Sequence, residues 1–239
     1  MRAVRFHEHG GREVLQVDTV ETPHAGHGEV VVDIEAAGVN PVDTYFREGA
    51  YPVPHLPFIG GGDLAGVVSE VGEGVETFSP GDRVLGTGLG NGRPGTYAEG
   101  VAAPADTLAH LPEAVSFAEG AALGTVGGTA WQALVHHADV DPAERVLVHG
   151  GAGGVGHIAV QLAETMGAHV NATASPDDAD ALADLGVEET IDYSRDDLEA
   201  AIADAGAPDV VVDLHMDQYL QLNANVVNGG ARVIGIGND

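Results

Sequence analysis

Seven consecutive residues, Gly150-Gly151-Ala152-Gly153-Gly154-Val155-Gly156, carry the most pointed chemical signal in this 239-residue chain. Gly151, Gly153 and Gly156 satisfy G-x-G-x-x-G, a string that a chain with 35 glycines also makes by chance. Its context strengthens it. An apolar run, Arg145 to His149 (RVLVH), leads into the string, and Val155, Ile158, Ala159, Leu162, Ala163 and Met166 then recur at helical spacing as far as Gly167. A strand, a tight glycine turn and a helix in that order let the backbone approach a pyrophosphate, whose charge meets unpaired amides at the helix N-terminus. A dinucleotide site is expected. The plainer alternative is a glycine turn that serves only helix packing.

The kind of dinucleotide is decided near the end of the next strand, where an acid for the ribose hydroxyls marks NAD binding. Thr173, Ala174 and Ser175 stand there and leave room for a 2′-phosphate. Tyr193 and Arg195, after the third strand, could supply a hydrogen bond and a positive charge for it. Against this, Asp177 and Asp178 lie close by, and Ser175 also reads as a helix cap. NADPH is favoured, with NADH as the alternative.

Charge narrows the partners. There are 37 acidic residues and 9 basic ones, all arginine, for a net charge of -28. Such a surface repels phosphate backbones and anionic lipid, so nucleic acid and membrane are poor partners, and a small molecule is expected instead. Backbone amides can hold an anionic ligand without lysine. Abundant acid without lysine also suits a salt-saturated cytoplasm, where self-repulsion is screened. Cysteine is absent, which excludes disulfides, thiolate nucleophiles and cysteine-ligated metal. The 12 histidines are scattered, with His136 and His137 on different helix faces and His7 and His9 near a turn, so no metal site is expected. No window approaches a membrane-spanning apolar length, and residues 1–8 lack a signal-like apolar stretch. A cytoplasmic protein is expected.

Short β-branched runs bounded by glycine fill the first 110 or so residues: Met1 to His7, Glu29 to Ala37, Leu64 to Gly72, Asp82 to Leu85 and Thr96 to Ala102. They predict a small, mostly antiparallel β domain. From about residue 116 strands alternate with amphipathic helices. A helix over Thr129 to His137 places Trp131 in the core. Further strands are expected over Ala168 to Ala174, Glu189 to Tyr193, Asp209 to Leu214 and Arg232 to Ile236. Helices are expected over Asp177 to Leu185, Asp196 to Ala205 and Gln218 to Val227. Ser175 and Ser194 read as caps, the latter with Asp197, while Gly186 and Gly206 read as helix stops. Five strands and four helices in strict alternation predict an α/β fold with a doubly wound parallel sheet.

Several stretches then carry a family signature: AAGVNPVDTYFREGAYP (Ala36 to Pro52), FIGGGDLAGVV (Phe58 to Val68), GDRV (Gly81 to Val84), GTYAE (Gly95 to Glu99) and VLVHGGAGGVG (Val146 to Gly156). Together they resemble the quinone oxidoreductases, the zeta-crystallin-like, zinc-independent branch of the medium-chain dehydrogenase/reductase superfamily. The resemblance implies a GroES-like β domain over 1–118, a Rossmann domain over 119–239, and NADPH in the cleft between them. It implies direct hydride transfer to a quinone, with Asn40 and Tyr45 facing nicotinamide and substrate and Tyr45 as polar contact or proton donor. Asn40-Pro41 is also a helix-start signal, and Tyr45 could pack on its own helix face.

Carried over by position, Ala152, Gly153, Gly154 and Val155 would hold the pyrophosphate. Ser175, Tyr193 and Arg195 would take the adenosine end, and Ile236, Gly237 and Asn238 the nicotinamide side, with Thr129 opening toward it. Zinc-dependent relatives place a cysteine near Asn40 and a histidine near Gly62, and this chain has neither. A lysine that many relatives use for phosphate is Ala179 here, which weakens the NADPH expectation. The chain stops at Gly237-Asn238-Asp239, where the family continues into a sixth strand, so a fragment is expected, along with a homodimer in the full-length protein. An NADPH-dependent enone or enoyl-thioester reductase and a non-catalytic dinucleotide-binding redox sensor are the rival readings.

Overall fold

The computed structural model describes residues 1–237, and the chain divides into two compact units, Met1–Thr125 and Val126–Asp239. Asn238 therefore lies outside the described residues.

The first unit is built of antiparallel strands. β1 (Arg2–Phe6) sits between β2 (Leu15–Thr19) and β4 (Phe58–Ile59) in a three-stranded sheet. A five-stranded sheet has the order β7 (Gly100–Pro104), β3 (Glu29–Gly38), β5 (Asp63–Val71), β6 (Arg83–Gly86), β8 (Leu108–His110). Alternation drives it: Val30 and Val32 of β3 meet Leu64 and Val68 of β5 in a core closed by Val84, Val101 and Ala103. Helix α1 (Pro41–Glu48) leaves the end of β3, and α2 (Phe117–Trp131) follows β8.

One expectation fails in this half, and one strand has no counterpart among the predicted ones. The strand expected from Thr96 begins only at Gly100, because the amides of Gly95, Thr96 and Tyr97 bond instead to the carbonyls of Ile59, Gly61 and Gly60. Strand β2 escaped the sequence reading because it pairs only with β1 and keeps Leu15 and Val17 exposed.

The second unit is a parallel sheet of β9 (Arg145–His149), β10 (His169–Ala174), β11 (Glu189–Asp192), β12 (Val210–Asp213) and β13 (Arg232–Gly235). Their order, β11-β10-β9-β12-β13, is doubly wound. Four helices connect them: α3 (Gly154–Thr165), α4 (Ala179–Asp184), α5 (Leu198–Asp204) and α6 (Met216–Val226). Val146, Val148, Val170, Val210 and Val212 are fully buried with Ala159, Val160 and Ala163 of α3, the pattern of strands covered on both faces. The α/β fold with a GroES-like β unit is thus as expected.

Three local readings are corrected. Trp131 is 50% exposed, because Ala130, Ala133, Leu134 and Ala138 form the buried stripe and Trp131 projects beside it. The helix bearing it starts at Phe117 and continues as a π-helical turn over Gln132–Ala138. Ser194 does not cap α5: its amide and hydroxyl both bond Asp192, and the helix begins only at Leu198. Ser175, in contrast, accepts from the Asp177 amide as a cap should, at the head of a 3-10 turn over Pro176–Asp178. Among the described residues no helix is long and apolar enough to cross a membrane.

Candidate dinucleotide site and two buried polar networks

In the second unit the strands' carboxyl ends gather most of the candidate cofactor residues along one sheet edge. The glycine turn follows β9, Ser175 follows β10, Tyr193 and Arg195 follow β11, and Ile236 and Gly237 follow β13. Gly150 turns the chain at φ +75°, a left-handed conformation that suits glycine, and Gly151 packs so closely that a Cβ would lie 2.6 Å from that of Ala172. A Cβ on Gly156 would overlap the carbonyl oxygen of Gly150. Helix α3 therefore starts directly on the turn.

The amides of this segment divide into two sets. Gly151 donates to the carbonyl of Thr173, and Gly153 to that of Gly150, so both are consumed inside the turn. Among the described residues, the amides of Ala152, Gly154 and Val155 enter no turn or loop bond, and Ala152 and Gly154 are exposed. The first amides of a helix have no intrahelical acceptor and attract an anion. Gly151, Gly153 and Gly156 thus shape the cradle, while the residues between them offer donors.

Arg195 is not free for a phosphate. Its guanidinium makes two hydrogen bonds to Asp197, of 2.6 and 3.0 Å. Tyr193 is 52% exposed beside it. Thr129 is half-buried on α2.

In the first unit, Asn40 caps α1 and is buried, and its side-chain amide donates to Asp63 Oδ2 at 2.7 Å. Asp63 is 1% exposed and collects further donors: Thr87 Oγ1 at 2.5 Å, the Thr125 amide at 3.0 Å and the Thr125 hydroxyl at 2.8 Å. A carboxylate accepts only, so Asn40 must turn its NH₂ to Asp63 and its carbonyl oxygen away. Gly124 of α2 admits this carboxylate, since a Cβ there would come within 2.6 Å of it. Tyr45 is half-buried on α1, its ring edge-on to Tyr51 at 5.7 Å.

A second carboxylate, Asp43, accepts from the Asn40 backbone N–H at 2.7 Å and from the Tyr97 hydroxyl at 2.9 Å. Burial is the largest influence on Asp43 and raises its pKa above the ordinary 3.8. The folded state then holds this proton more tightly than the unfolded chain. The group's stabilising contribution is full below pH 3.8 and is lost as pH rises through the folded value. We expect Asp43→Asn, which cannot titrate, to gain stability relative to the unmutated chain as pH increases from there. Urea midpoints of both proteins over a pH series test this, and a difference that does not vary with pH refutes it.

A third cluster lies under the glycine turn. His149, Thr173, Asp213 and Asn223 are each at most 1% exposed and hydrogen-bonded to one another, and Tyr219 stacks on His149 at 4.6 Å. The sequence reading passed over this cluster and over Asp63. The available signal was a polar residue ending or opening an otherwise apolar strand: RVLVH, VVVD and DLAGVV. Among the described residues no group of three or more His, Asp or Glu side chains is arranged to hold a metal ion.

Residues 26–113 match the family described as alcohol dehydrogenase GroES-like domain, and residues 154–239 the family described as zinc-binding dehydrogenase. A mouse (Mus musculus) quinone oxidoreductase is 37% identical over 245 residues, covering 99% of this chain and 73% of its own length. The solved Escherichia coli quinone oxidoreductase complexed with NADPH superposes with a TM-score of 0.90 at 33% identity, covering 100% of this chain and 73% of that one. The CurK enoyl reductase superposes with a TM-score of 0.90 at 29% identity, covering 99% and 74%.

Proposed function

Since the chain belongs to the quinone oxidoreductase-like branch of the medium-chain dehydrogenase/reductase superfamily, we propose that it is a zinc-independent, NADPH-dependent quinone reductase. The observation that carries the reading is the glycine cradle at the sheet's carboxyl edge, with the amides of Ala152, Gly154 and Val155 uncommitted. The close packing at Gly151 and Gly156 fits a diphosphate, which needs backbone and not side chain as its contact surface. A sequence without cysteine supports chemistry without a zinc centre of the dehydrogenase type.

When bound, the nicotinamide supplies a hydride. The protein's part is position and protons. Ala152, Gly154 and Val155 would hold the diphosphate through their amides, with Gly153 lining it; Ser175, Tyr193 and Arg195 would take the adenosine end; Ile236, Gly237 and Thr129 would flank the nicotinamide. On the substrate side Asn40 orients the reacting groups, its amide fixed by Asp63, and the Tyr45 hydroxyl donates a proton to the quinone oxygen. Tyr193 and Arg195 favour NADPH over NADH, and because a 2′-phosphate must first draw Arg195 from Asp197 the margin is small and is reduced further by salt.

An enoyl-thioester reductase is the second reading, supported by the likeness to the CurK enoyl reductase. The deciding experiment titrates NADPH and NADH in molar salt and then follows nucleotide oxidation with benzoquinone and, separately, with crotonyl-CoA. Turnover with benzoquinone supports the proposal. Turnover only with crotonyl-CoA replaces it with the second reading. Binding without either turnover identifies a non-catalytic sensor, and no binding at all refutes the dinucleotide site.

A further inference from the structure

The fully buried polar cluster beneath the glycine turn has a direction that its chemistry fixes. Asp213, at the end of β12, accepts from the Asn223 amide nitrogen at 2.6 Å and from the His215 backbone amide at 2.8 Å. Asn223 must therefore present its oxygen to His149 Nε2, 2.9 Å away, and that nitrogen must carry a hydrogen. Burial, the largest influence on His149, lowers its pKa, against the Asn223 bond and the Asp213 charge that raise it, and His215 adds to the lowering. A neutral ring with hydrogen on Nε2 leaves Nδ1 bare, so Nδ1 accepts from the Thr173 hydroxyl at 3.2 Å. The Thr173 hydroxyl oxygen in turn accepts from the backbone amide of Gly150 at 3.1 Å, a bond that this amide shares with the Thr173 carbonyl, also at 3.1 Å.

We propose that Thr173 and His149 are positioning residues for the diphosphate cradle: a one-way chain of hydrogen bonds runs from the Gly150 amide through Thr173, His149 and Asn223 to the Asp213 carboxylate and holds the turn in its binding shape. The inference rests on the reading of that turn as a dinucleotide site. Every donor points toward Asp213, so each bond polarises the next, and the alternative tautomer would set two acceptors, the bare Nε2 and the Asn223 oxygen, against each other. The charged or titratable groups facing His149 are Asp213 from β12, His215 just beyond it and Tyr219 from α6. The chain anchors the residue at which the backbone turns left-handed, ahead of the free amides of Ala152, Gly154 and Val155. None of the relay's side chains touches the ligand. They act through the backbone.

Two conservative variants separate hydrogen bonding from packing. Thr173→Val keeps the shape and removes the hydroxyl; Thr173→Ser keeps the hydroxyl and removes the methyl. In molar salt, calorimetric titration with NADPH is expected to give a Kd about tenfold weaker for Thr173→Val, the size of one lost hydrogen bond, and within about twofold of the unmutated chain for Thr173→Ser. Independently of any nucleotide, ¹⁵N spectra of the unliganded full chain near neutral pH are expected to show His149, assigned through His149→Gln, as the neutral Nε2–H tautomer. Unchanged affinity in Thr173→Val, equal losses in both variants, or an Nδ1–H tautomer each overturns the proposal alone. Failure of the unmutated chain to bind NADPH or NADH overturns the dinucleotide reading and the proposal with it.

Discussion

Replacing Gly156 with alanine is expected to weaken dinucleotide binding about a hundredfold, the scale of effect that a displacement of about 1 Å has on a positioned group. The added Cβ would overlap the carbonyl oxygen of Gly150, a backbone atom that no rotamer change can move aside. Relief requires α3 to shift along or away from β9. Ala159, Val160 and Ala163 of that helix are fully buried against the sheet, so the shift also disturbs packing, at about 1–3 kcal/mol of stability. Gly153→Ala is the matched control. A Cβ there would lie 3.2 Å from the same oxygen, a tight contact that a shift of a few tenths of an ångström relieves, and the extended backbone at φ -73° and ψ 172° admits any residue. Calorimetry with NADPH should therefore separate the two variants widely. Equal affinities in the two would show that the close approach at Gly156 plays no part in holding the ligand.

The contrast between these glycines also shows how far sequence reasoning reached. The string G-x-G-x-x-G marked the place, and the buried strands beside it were legible because both their faces are covered. RVLVH was read with its observed bounds, and the other four parallel strands to within a residue or so at each end. Short strands with one wet face left a weaker trace, and β2, β4 and β8 went unread. Trp131 falls on the predicted helix but outside the inward-facing stripe of Ala130, Ala133, Leu134 and Ala138. The polar networks were illegible for another reason. His149 meets Asn223 across 74 positions, and Asp63 meets Thr125 across 62, so a periodic pattern reveals the polar residue in a strand but never its partner. Arg195 is the opposite case: it follows β11 as the strand pattern predicts, but nothing in the spacing reveals its commitment to Asp197, two positions away.

The second large effect concerns one such partner. We expect Asp63→Ala to destabilise the first unit by about 3–5 kcal/mol, the range for removing one side of a buried charged interaction. The carboxylate takes four hydrogen bonds from three residues, Asn40, Thr87 and Thr125, within a core where water does not replace it. Truncation removes all four bonds, of which the 3.2 Å contact between the Thr87 and Thr125 hydroxyls replaces only part, and opens a void beside Gly124, whose missing side chain made room for the acid. Asp63→Asn fills the void but sets an NH₂ group against donors, so it should recover only part of the loss. Hydrogen exchange read peptide by peptide resolves the effect: amides of β3 and β5 should lose protection, while β9 and β12 in the second unit keep theirs. The same variant frees the Asn40 amide to rotate, so benzoquinone turnover should fall even where the fold persists. Retention of full protection in β3 and β5 by Asp63→Ala would mean that the four bonds contribute little, and that Asn40 is oriented by its helix cap alone.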